Sequence, residues 1–239
     1  MKRMMKLNLR QIAAVSLKVL LVALYFGSLS FAHSQAAAKP AEFVVPGATI
    51  PTRVLVQDPT DTIADLQIFC LFHSDASNTL HGSLIEADEK THGLLTEIRK
   101  PELFSGDLGE TIVFVPAPGT LAAKKVLIIG LGDSQTFTLD RMNLVGAIAY
   151  REAIRLGVAN PFFAPTLLDG GLTGITTGDT AQHVVDGFLR AAATERILRQ
   201  HNMSGGVAIE SITFLAGPKF AESTRDGIAR AYAKAATSH

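Results

Sequence analysis

A short run near the middle of the chain constrains the fold more than any other stretch. Residues 124–133 read KKVLIIGLGD, so two lysines lead into four branched apolar residues and a Gly-Leu-Gly turn. A run that is apolar on both faces is typical of a strand inside a sheet that is covered on both sides. The segment after the turn has helical periodicity. The order strand, turn, helix predicts an α/β layer fold, with residues 126–129 as its central strand.

Other strands and helices are predicted to alternate along the chain in the same way. Apolar runs predict strands at residues 66–72, 111–115, 158–168 and 209–216. Helical spacing of apolar side chains predicts helices at residues 80–90, 139–157 and 179–200, and a last helix that opens at Pro218. Residues 94–98 fit either a strand or a helix. We therefore predict an α/β fold with a mixed, mostly parallel sheet between helices.

The sequence also predicts how the helices begin and which side chains they bury. Thr138 is the predicted N-cap of the helix after the central strand, and Asp179 or Thr180 that of the next helix. Gly157 fits the position that follows a helix C-terminus. Ile197 and Phe220 are expected to face the core.

The N-terminus is typical of a secretory signal peptide. Four basic residues precede an apolar stretch, and Ala32-His33-Ser34 suits cleavage after Ser34. The uninterrupted apolar part has about 14 residues, whereas a membrane-spanning helix needs about 20; an uncleaved anchor is the alternative. We predict a signal peptide at residues 1–34, a linker or extended lead-in at 35–60 and one domain at 61–239, with secretion or a bacterial periplasmic location. No membrane association is expected after cleavage.

Charge and cysteine content exclude some classes of protein. The chain has 239 residues, with 22 basic against 22 acidic side chains. A balanced charge argues against a nucleic-acid binder that is held by phosphate contacts, so no nucleic-acid partner is expected. The single cysteine, Cys70, lies inside an apolar run and cannot form an internal disulfide. We expect it to be a buried and inert thiol.

Candidate sites in the sequence favour structural interpretations. The Gly130-Leu131-Gly132 turn lacks the third glycine of a dinucleotide fingerprint, because position 135 is glutamine. No nucleophile elbow of the G-x-S-x-G type occurs. The glycine-rich segment 169–179 fits an ordinary loop better than an anion-binding loop.

Histidines and acids crowd one region without a metal-binding spacing. This group, with no compact H-x-x-x-H or H-E-x-x-H motif, consists of His73, Asp75, His81, Glu86, Asp88 and His92. We interpret it as a solvated surface, and His183 as a surface or partly buried histidine. The residues alone assign no catalytic, cofactor-binding or metal-binding position.

The amino-acid sequences of several segments resemble those of a known family. Residues 111–119 (TIVFVPAPG), 122–132 (AAKKVLIIGLG) and 209–215 (IESITFL) are similar to the N-terminal domain of the leucyl aminopeptidases of the M17 peptidase family. The resemblance covers about residues 61–235. It implies a three-layer, macro-like α/β/α domain.

In that family, peptidase chemistry belongs to a separate C-terminal domain with two divalent metals and a motif of the N-T-D-A-E-G-R type. No segment of this chain matches that motif, so no catalytic or metal residue carries over. Residues 195–200 depart from the aromatic-rich stretch that family members have at this position, which puts in doubt any contact of that stretch with a catalytic domain.

The resemblance implies a domain that is non-catalytic alone, with no cofactor, and that acts in binding or assembly with a protein partner or a second copy of itself. One alternative is a module that binds a small molecule, such as a nucleotide or an ADP-ribose-like ligand. Another is an accessory part of a metal-dependent aminopeptidase.

Overall fold

Seven strands form one mixed sheet in the part of the chain that the structure describes. In chain order they are β1 (Glu42–Val44), β2 (Thr52–Leu55), β3 (Gln67–Leu71), β4 (Thr111–Phe114), β5 (Val126–Gly130), β6 (Phe162–Ala164) and β7 (Ile212–Leu215). Their order across the sheet is β1-β2-β7-β6-β3-β5-β4. The four inner pairings are parallel, whereas β1 and β4 pair antiparallel at the two edges. The predicted mixed, mostly parallel sheet is confirmed.

The computed structural model describes residues 39–73, 79–99, 103–165, 167, 172 and 174–237. The signal-peptide prediction for residues 1–34 lies outside them. Residues 40–239 form one compact unit. The structure thus places the start of the folded unit earlier than residue 61, because β1 and β2 of the predicted lead-in pair with each other and β2 pairs with β7.

Five helices cover the two faces of the sheet in the described residues. They are α1 (Ser83–Lys90), α2 (Leu94–Ile98), α3 (Asp140–Arg155), α4 (Thr177–Gln200) and α5 (Ala221–Thr237). Residues 94–98, which fit two interpretations in the sequence, are helical. Helices α3, α4 and α5 share a core with one face of the sheet, and α1 and α2 share a smaller core with the other. This arrangement confirms the three-layer α/β/α prediction.

The apolar run of β5 supplies both cores because side chains alternate between the two faces of a strand. Leu127 and Ile129 point into the larger core, whereas Val126 and Ile128 point into the smaller one. All five residues of β5 are buried. However, β5 is not the central strand of the sheet. It lies next to the edge strand β4, and the short strand β6 occupies the centre.

Two helices begin at residues other than those predicted. Helix α3 starts at Asp140 with Leu139 as its N-cap and no side-chain cap, so Thr138 does not have the predicted role. Helix α4 is capped by Thr176, whose side chain accepts a hydrogen bond from the backbone N–H of Asp179. The end of α3 is as predicted, since Gly157 follows it with a φ of 73°.

Helices α3 and α4 approach each other closely at two reciprocal glycine positions. A Cβ atom at Gly187 of α4 would lie 1.9 Å from the carbonyl oxygen of Asn143 in α3. A Cβ atom at Gly146 of α3 would lie 2.0 Å from the carbonyl oxygen of Val184 in α4. Beside this contact the rings of Tyr150 and Phe188 meet edge to face, with centroids 4.9 Å apart. The α3–α4 spacing therefore depends on the absence of side chains at two positions.

None of the helices that the structure describes combines the length and the apolar character that crossing a lipid bilayer requires.

Candidate functional site

A pocket of about 530 Å³ opens at the carboxyl ends of three neighbouring strands. Its floor includes Val56 directly after β2, Ala164 at the end of β6, and Leu215 at the end of β7. The first residues of α4 and the segment before α5 form part of its rim. Ligands of open α/β sheets bind outside the carboxyl ends of the strands, so the pocket occupies the edge of the sheet where ligand sites occur.

The walls of the pocket are mainly apolar. Side chains from the loop before α4 and the segment before α5 form these walls, namely Pro165, Leu167, Ile175, Pro218 and Phe220. The Phe220 side chain is 41% exposed, so the prediction that it anchors the last helix in the core is wrong. Ile228 and Tyr232 of α5 are buried and anchor that helix. Phe220 is instead free to offer its ring to a ligand.

Polar groups reach the pocket from several segments. The polar lining side chains in the described residues belong to Gln57, Asp58, Ser83, Thr177, Thr180 and Thr224. The carboxylate of Asp58 is held in place, because its Oδ1 accepts hydrogen bonds from the backbone N–H of Thr60 at 2.7 Å and from the Thr60 hydroxyl at 2.6 Å. An oriented carboxylate can accept further N–H or O–H groups from a ligand.

A network of charged side chains holds the segment around Asp58 on the side away from the pocket. Lys90 of α1 lies 2.7 Å from Glu86 and 2.6 Å from Asp61, and it donates a hydrogen bond to the Thr60 hydroxyl at 2.8 Å. The hydrogen bond from Lys90 is the largest cause that holds the pKa of the Glu86 carboxyl below its usual value. Thr60 is buried and connects this network to Asp58. The position of the Asp58 carboxylate is therefore built into the fold.

The N-terminus of α4, beside the pocket, is satisfied by groups of the protein itself. The backbone N–H of Asp179 donates to the Thr176 hydroxyl at 3.0 Å, and the N–H of Gly178 donates to the Ser223 hydroxyl at 3.2 Å. The carboxylate of Asp179 adds a negative charge to the first turn and pairs with Arg230 of α5 at 2.8 Å. Two of the first N–H groups of the helix are therefore not available to an anion without rearrangement.

The Gly130–Gly132 turn is packed against protein. A Cβ atom at Gly130 would lie 2.0 Å from the carbonyl oxygen of Asp107, and Gly132 has a φ of 72°. The Arg141 guanidinium donates hydrogen bonds to the carbonyl oxygens of Leu131 and Asp133. These contacts pack the turn against the rest of the protein, so the turn has a structural role.

Three of the histidines and acids singled out in the sequence, His73, Glu86 and Asp88, each contact a different neighbour outside the group. His73 lies 2.9 Å from Asp107, and Asp88 accepts hydrogen bonds from the backbone and hydroxyl of Thr96. Asp75 lies outside the described residues. Over the described ranges, no three His, Cys, Asp or Glu side chains come together as a metal site.

The remaining candidates lie elsewhere. His183 lines a second groove of about 450 Å³ among the side chains of α3, α4 and α5, and its Nδ1 lies 2.9 Å from the carbonyl oxygen of Asp179. Cys70 is fully buried in β3, and this burial raises the pKa of its thiol. Of the predicted loop 169–179, residues 177–179 belong to α4, and residues 169–171 and 173 lie outside the described residues. Sequence reasoning did not find the pocket at the strand ends, because its lining comes from segments far apart in the chain.

Comparison with known proteins gives the family. The model for the N-terminal domain of the cytosol aminopeptidase family matches residues 68–205, which is more than half of the chain. The chain belongs to this family. The resemblance to M17 aminopeptidases that the strand and turn segments indicate is therefore confirmed.

Relatives of this aminopeptidase-family chain are longer proteins. A probable cytosol aminopeptidase of Thermosynechococcus vestitus is 26% identical over 148 residues, which are 60% of this chain and 27% of the relative. The chain thus spans about a quarter of the length of that relative.

Solved structures show the same fold. A mutant of tomato leucine aminopeptidase matches 79% of this chain and 37% of its own, with 20% identity and a TM-score of 0.55. A macrodomain of Oceanobacillus iheyensis with ADP matches 82% of this chain and all of its own, with 15% identity and a TM-score of 0.54. At these identities the likeness concerns the fold alone.

Proposed function

We propose that this domain of the cytosol aminopeptidase family is a non-catalytic binding module that holds a small, nucleoside-like molecule at the carboxyl edge of its sheet. The observation that carries the proposal is the pocket of about 530 Å³ at the ends of β2, β6 and β7. Its size, apolar walls and few convergent polar groups are those of small-molecule sites. The macrodomain of Oceanobacillus iheyensis, which shares the fold, has been solved with ADP.

The side chains of the pocket suit an aromatic heterocycle with polar substituents. Phe220 and Ile175 provide apolar surface for a flat ring. The Asp58 carboxylate can accept hydrogen bonds from ring or exocyclic N–H groups. The hydroxyls of Thr177 and Thr224 can exchange hydrogen bonds with a sugar. Each of these groups binds or orients a ligand, and none of them forms a nucleophile–base pair.

The binding test is a thermal-shift screen of the full chain against nucleosides, nucleotides, ADP-ribose, leucyl dipeptides and divalent metals, followed by calorimetric titration. A ligand at 100 times its Kd stabilises the folded state by about 2.7 kcal/mol. For a domain of about 200 residues this raises Tm by roughly 5–10 °C. If no compound of the panel raises Tm or releases heat, the proposal fails.

Two variants locate the site. Thr177 lies at the rim of the pocket, so Thr177→Trp should fill it and abolish the thermal shift. Thr194 is exposed further along the same helix, so Thr194→Trp should keep the shift. An equal shift in both variants would place the ligand elsewhere.

The non-catalytic part of the proposal has its own assay. The full chain should release no leucine from leucyl substrates in the presence of Zn²⁺ or Mn²⁺, because none of its segments matches the metal-binding motif of the peptidase family. Metal-dependent release by a purified preparation would contradict this proposal, provided that a heat-denatured sample is inactive.

A role in assembly is the second candidate, and an exposed apolar patch favours it. The patch comprises Ile197 and Leu198 at the end of α4 with Met203 and Val207 in the following loop; Ile197 is 55% exposed and Met203 76%. The prediction that Ile197 faces the core is therefore wrong. If a second copy of the chain covers the patch, light scattering should show a dimer that Met203→Asp dissociates. A monomer at all concentrations would exclude self-association.

We also propose export, with a mature chain that begins at Gln35. The basic residues before a short apolar stretch support it. Mass spectrometry of the chain recovered from expressing cells should find this N-terminus, and an intact Met1 terminus would contradict cleavage.

A further inference from the structure

We infer that the pocket at the ends of β2, β6 and β7 selects a nucleoside or another uncharged nitrogen heterocycle and discriminates against the corresponding diphosphate. The inference rests on the proposed function and narrows its ligand class. It separates this chain from the macrodomain of the same fold that has been solved with ADP.

The charge of the lining is the first argument. Among the described residues that line the pocket, Asp58 is the one acidic or basic side chain. Thr60 holds one carboxylate oxygen in place through two hydrogen bonds, so the group is not free to turn away from an incoming anion. Lysine and arginine are absent from the described lining. A diphosphate beside Asp58 would therefore meet repulsion that no cation of the described lining offsets. The exposed Lys219, between Pro218 and Phe220, is outside that lining.

The start of α4 is the second argument. Helix N-termini bind phosphate when their N–H groups are free to point at it. Here the N–H groups of Gly178 and Asp179 already donate to the hydroxyls of Ser223 and Thr176. The carboxylate of Asp179 further offsets the positive end of the helix dipole. The neighbouring cation, Arg230, is engaged with Asp179 at 2.8 Å.

The other side chains that line the pocket suit an uncharged ligand. Phe220 and Ile175 bury apolar ring surface, and the threonine hydroxyls exchange hydrogen bonds with neutral polar groups. Asp58 accepts N–H groups, which a nucleobase presents and a phosphate does not. The carboxylate that repels the diphosphate therefore also binds the nucleobase through hydrogen bonds.

Calorimetric titration of the full chain with adenosine, AMP and ADP tests the inference. Adenosine should bind at least tenfold more tightly than ADP at low salt. Because salt screens charge repulsion, the ratio should fall when KCl is raised. Asp58→Asn keeps an oxygen that can accept from Thr60 and removes the charge. It should weaken adenosine binding and reduce the difference between the affinities for adenosine and ADP. Asp140→Asn, a loss of the same charge among the residues of the second groove, should leave the ratio unchanged.

The outcomes separate the two proposals. Binding of ADP as tightly as adenosine, or more tightly, would overturn the selectivity and leave the binding module intact. If Asp140→Asn and Asp58→Asn both lose the preference for adenosine, the preference comes from the net charge of the protein. That result would overturn the role of Asp58. Absence of binding by all three compounds and by the wider panel would overturn the binding module itself.

Discussion

Replacement of Gly187 by alanine tests the close contact between α3 and α4. The new Cβ atom would lie 1.9 Å from the carbonyl oxygen of Asn143 and 2.7 Å from its carbonyl carbon, whereas Cβ contacts in proteins stay above 3.0 Å. The obstacle is backbone, which a side-chain rotation does not remove. The two helices must therefore separate by about 1 Å, and the tightly packed core beside them loosens.

The magnitude follows from two opposing effects. Overpacking of this kind costs about 1–3 kcal/mol and occasionally more, and a backbone obstacle places it at the upper end. Alanine in a helix interior gains about 1 kcal/mol over glycine. The net loss in the free energy of unfolding should be about 2 kcal/mol. For a domain of about 200 residues this lowers Tm by roughly 4–8 °C.

Thermal and urea unfolding followed by circular dichroism measure the effect. Gly205→Ala is the control, because Gly205 lies in a loop and a Cβ atom there meets nothing within 4 Å; its stability should change by less than about 0.5 kcal/mol. Combining Gly146→Ala with Gly187→Ala should cost less than the sum of both, since one separation of the helices relieves both contacts. A Gly187→Ala variant as stable as the parent would refute the close approach of the helices.

Three further predictions concern single side chains. Because a hydrogen bond from Lys90 holds the pKa of Glu86 below its usual value, the carboxylate contributes stability that is present above its unfolded-state pKa and lost as the pH falls through the folded-state pKa. Glu86→Gln should accordingly lose less stability than the parent between pH 6 and pH 3 in urea titrations, and an equal loss would count against this pairing. Since burial raises the pKa of Cys70, iodoacetamide should label it only after unfolding, and mass spectrometry of native protein that showed alkylation would contradict its burial. Thr176→Ala should lower the free energy of unfolding by about 1 kcal/mol through loss of the α4 cap, whereas Thr194→Ala within the same helix should have little effect by urea unfolding.

The helices and strands that could be predicted from the sequence are those whose conformation is determined by their own residues and not by distant parts of the chain. The β5 run is apolar on both faces and could only be a covered strand, although its place beside an edge depends on the pairing of other strands. The ends of α3 and α4 show the limit of local signals. Gly157 was found because a left-handed turn favours glycine, whereas several polar residues near the start of α4 could have capped it and Thr176 is the one that does.

The β1 and β2 strands were missed because an Ala- and Pro-rich composition suggests a linker. Their stability comes from pairing with each other and from β7, about 160 residues further along the chain. The pocket could not be predicted for the same reason. Phe220 is an apolar residue next to a helix, and only the packed structure shows that its ring lines a cavity and does not enter the core.

The strand in the middle of the sheet is three residues long, and its last residue, Ala164, forms part of the pocket floor. Strand β6 ends at Ala164, opposite Phe69, while β3 continues for two further residues to Leu71. Pro165 follows at once and has no N–H with which to extend the ladder. The floor of the cavity is thus set where the backbone of β6 stops, level with the ends of β2 and β7. Replacement of side chains along the wall can change which molecule fits. The cavity itself depends on where Pro165 ends β6, so it should persist when many lining side chains are changed.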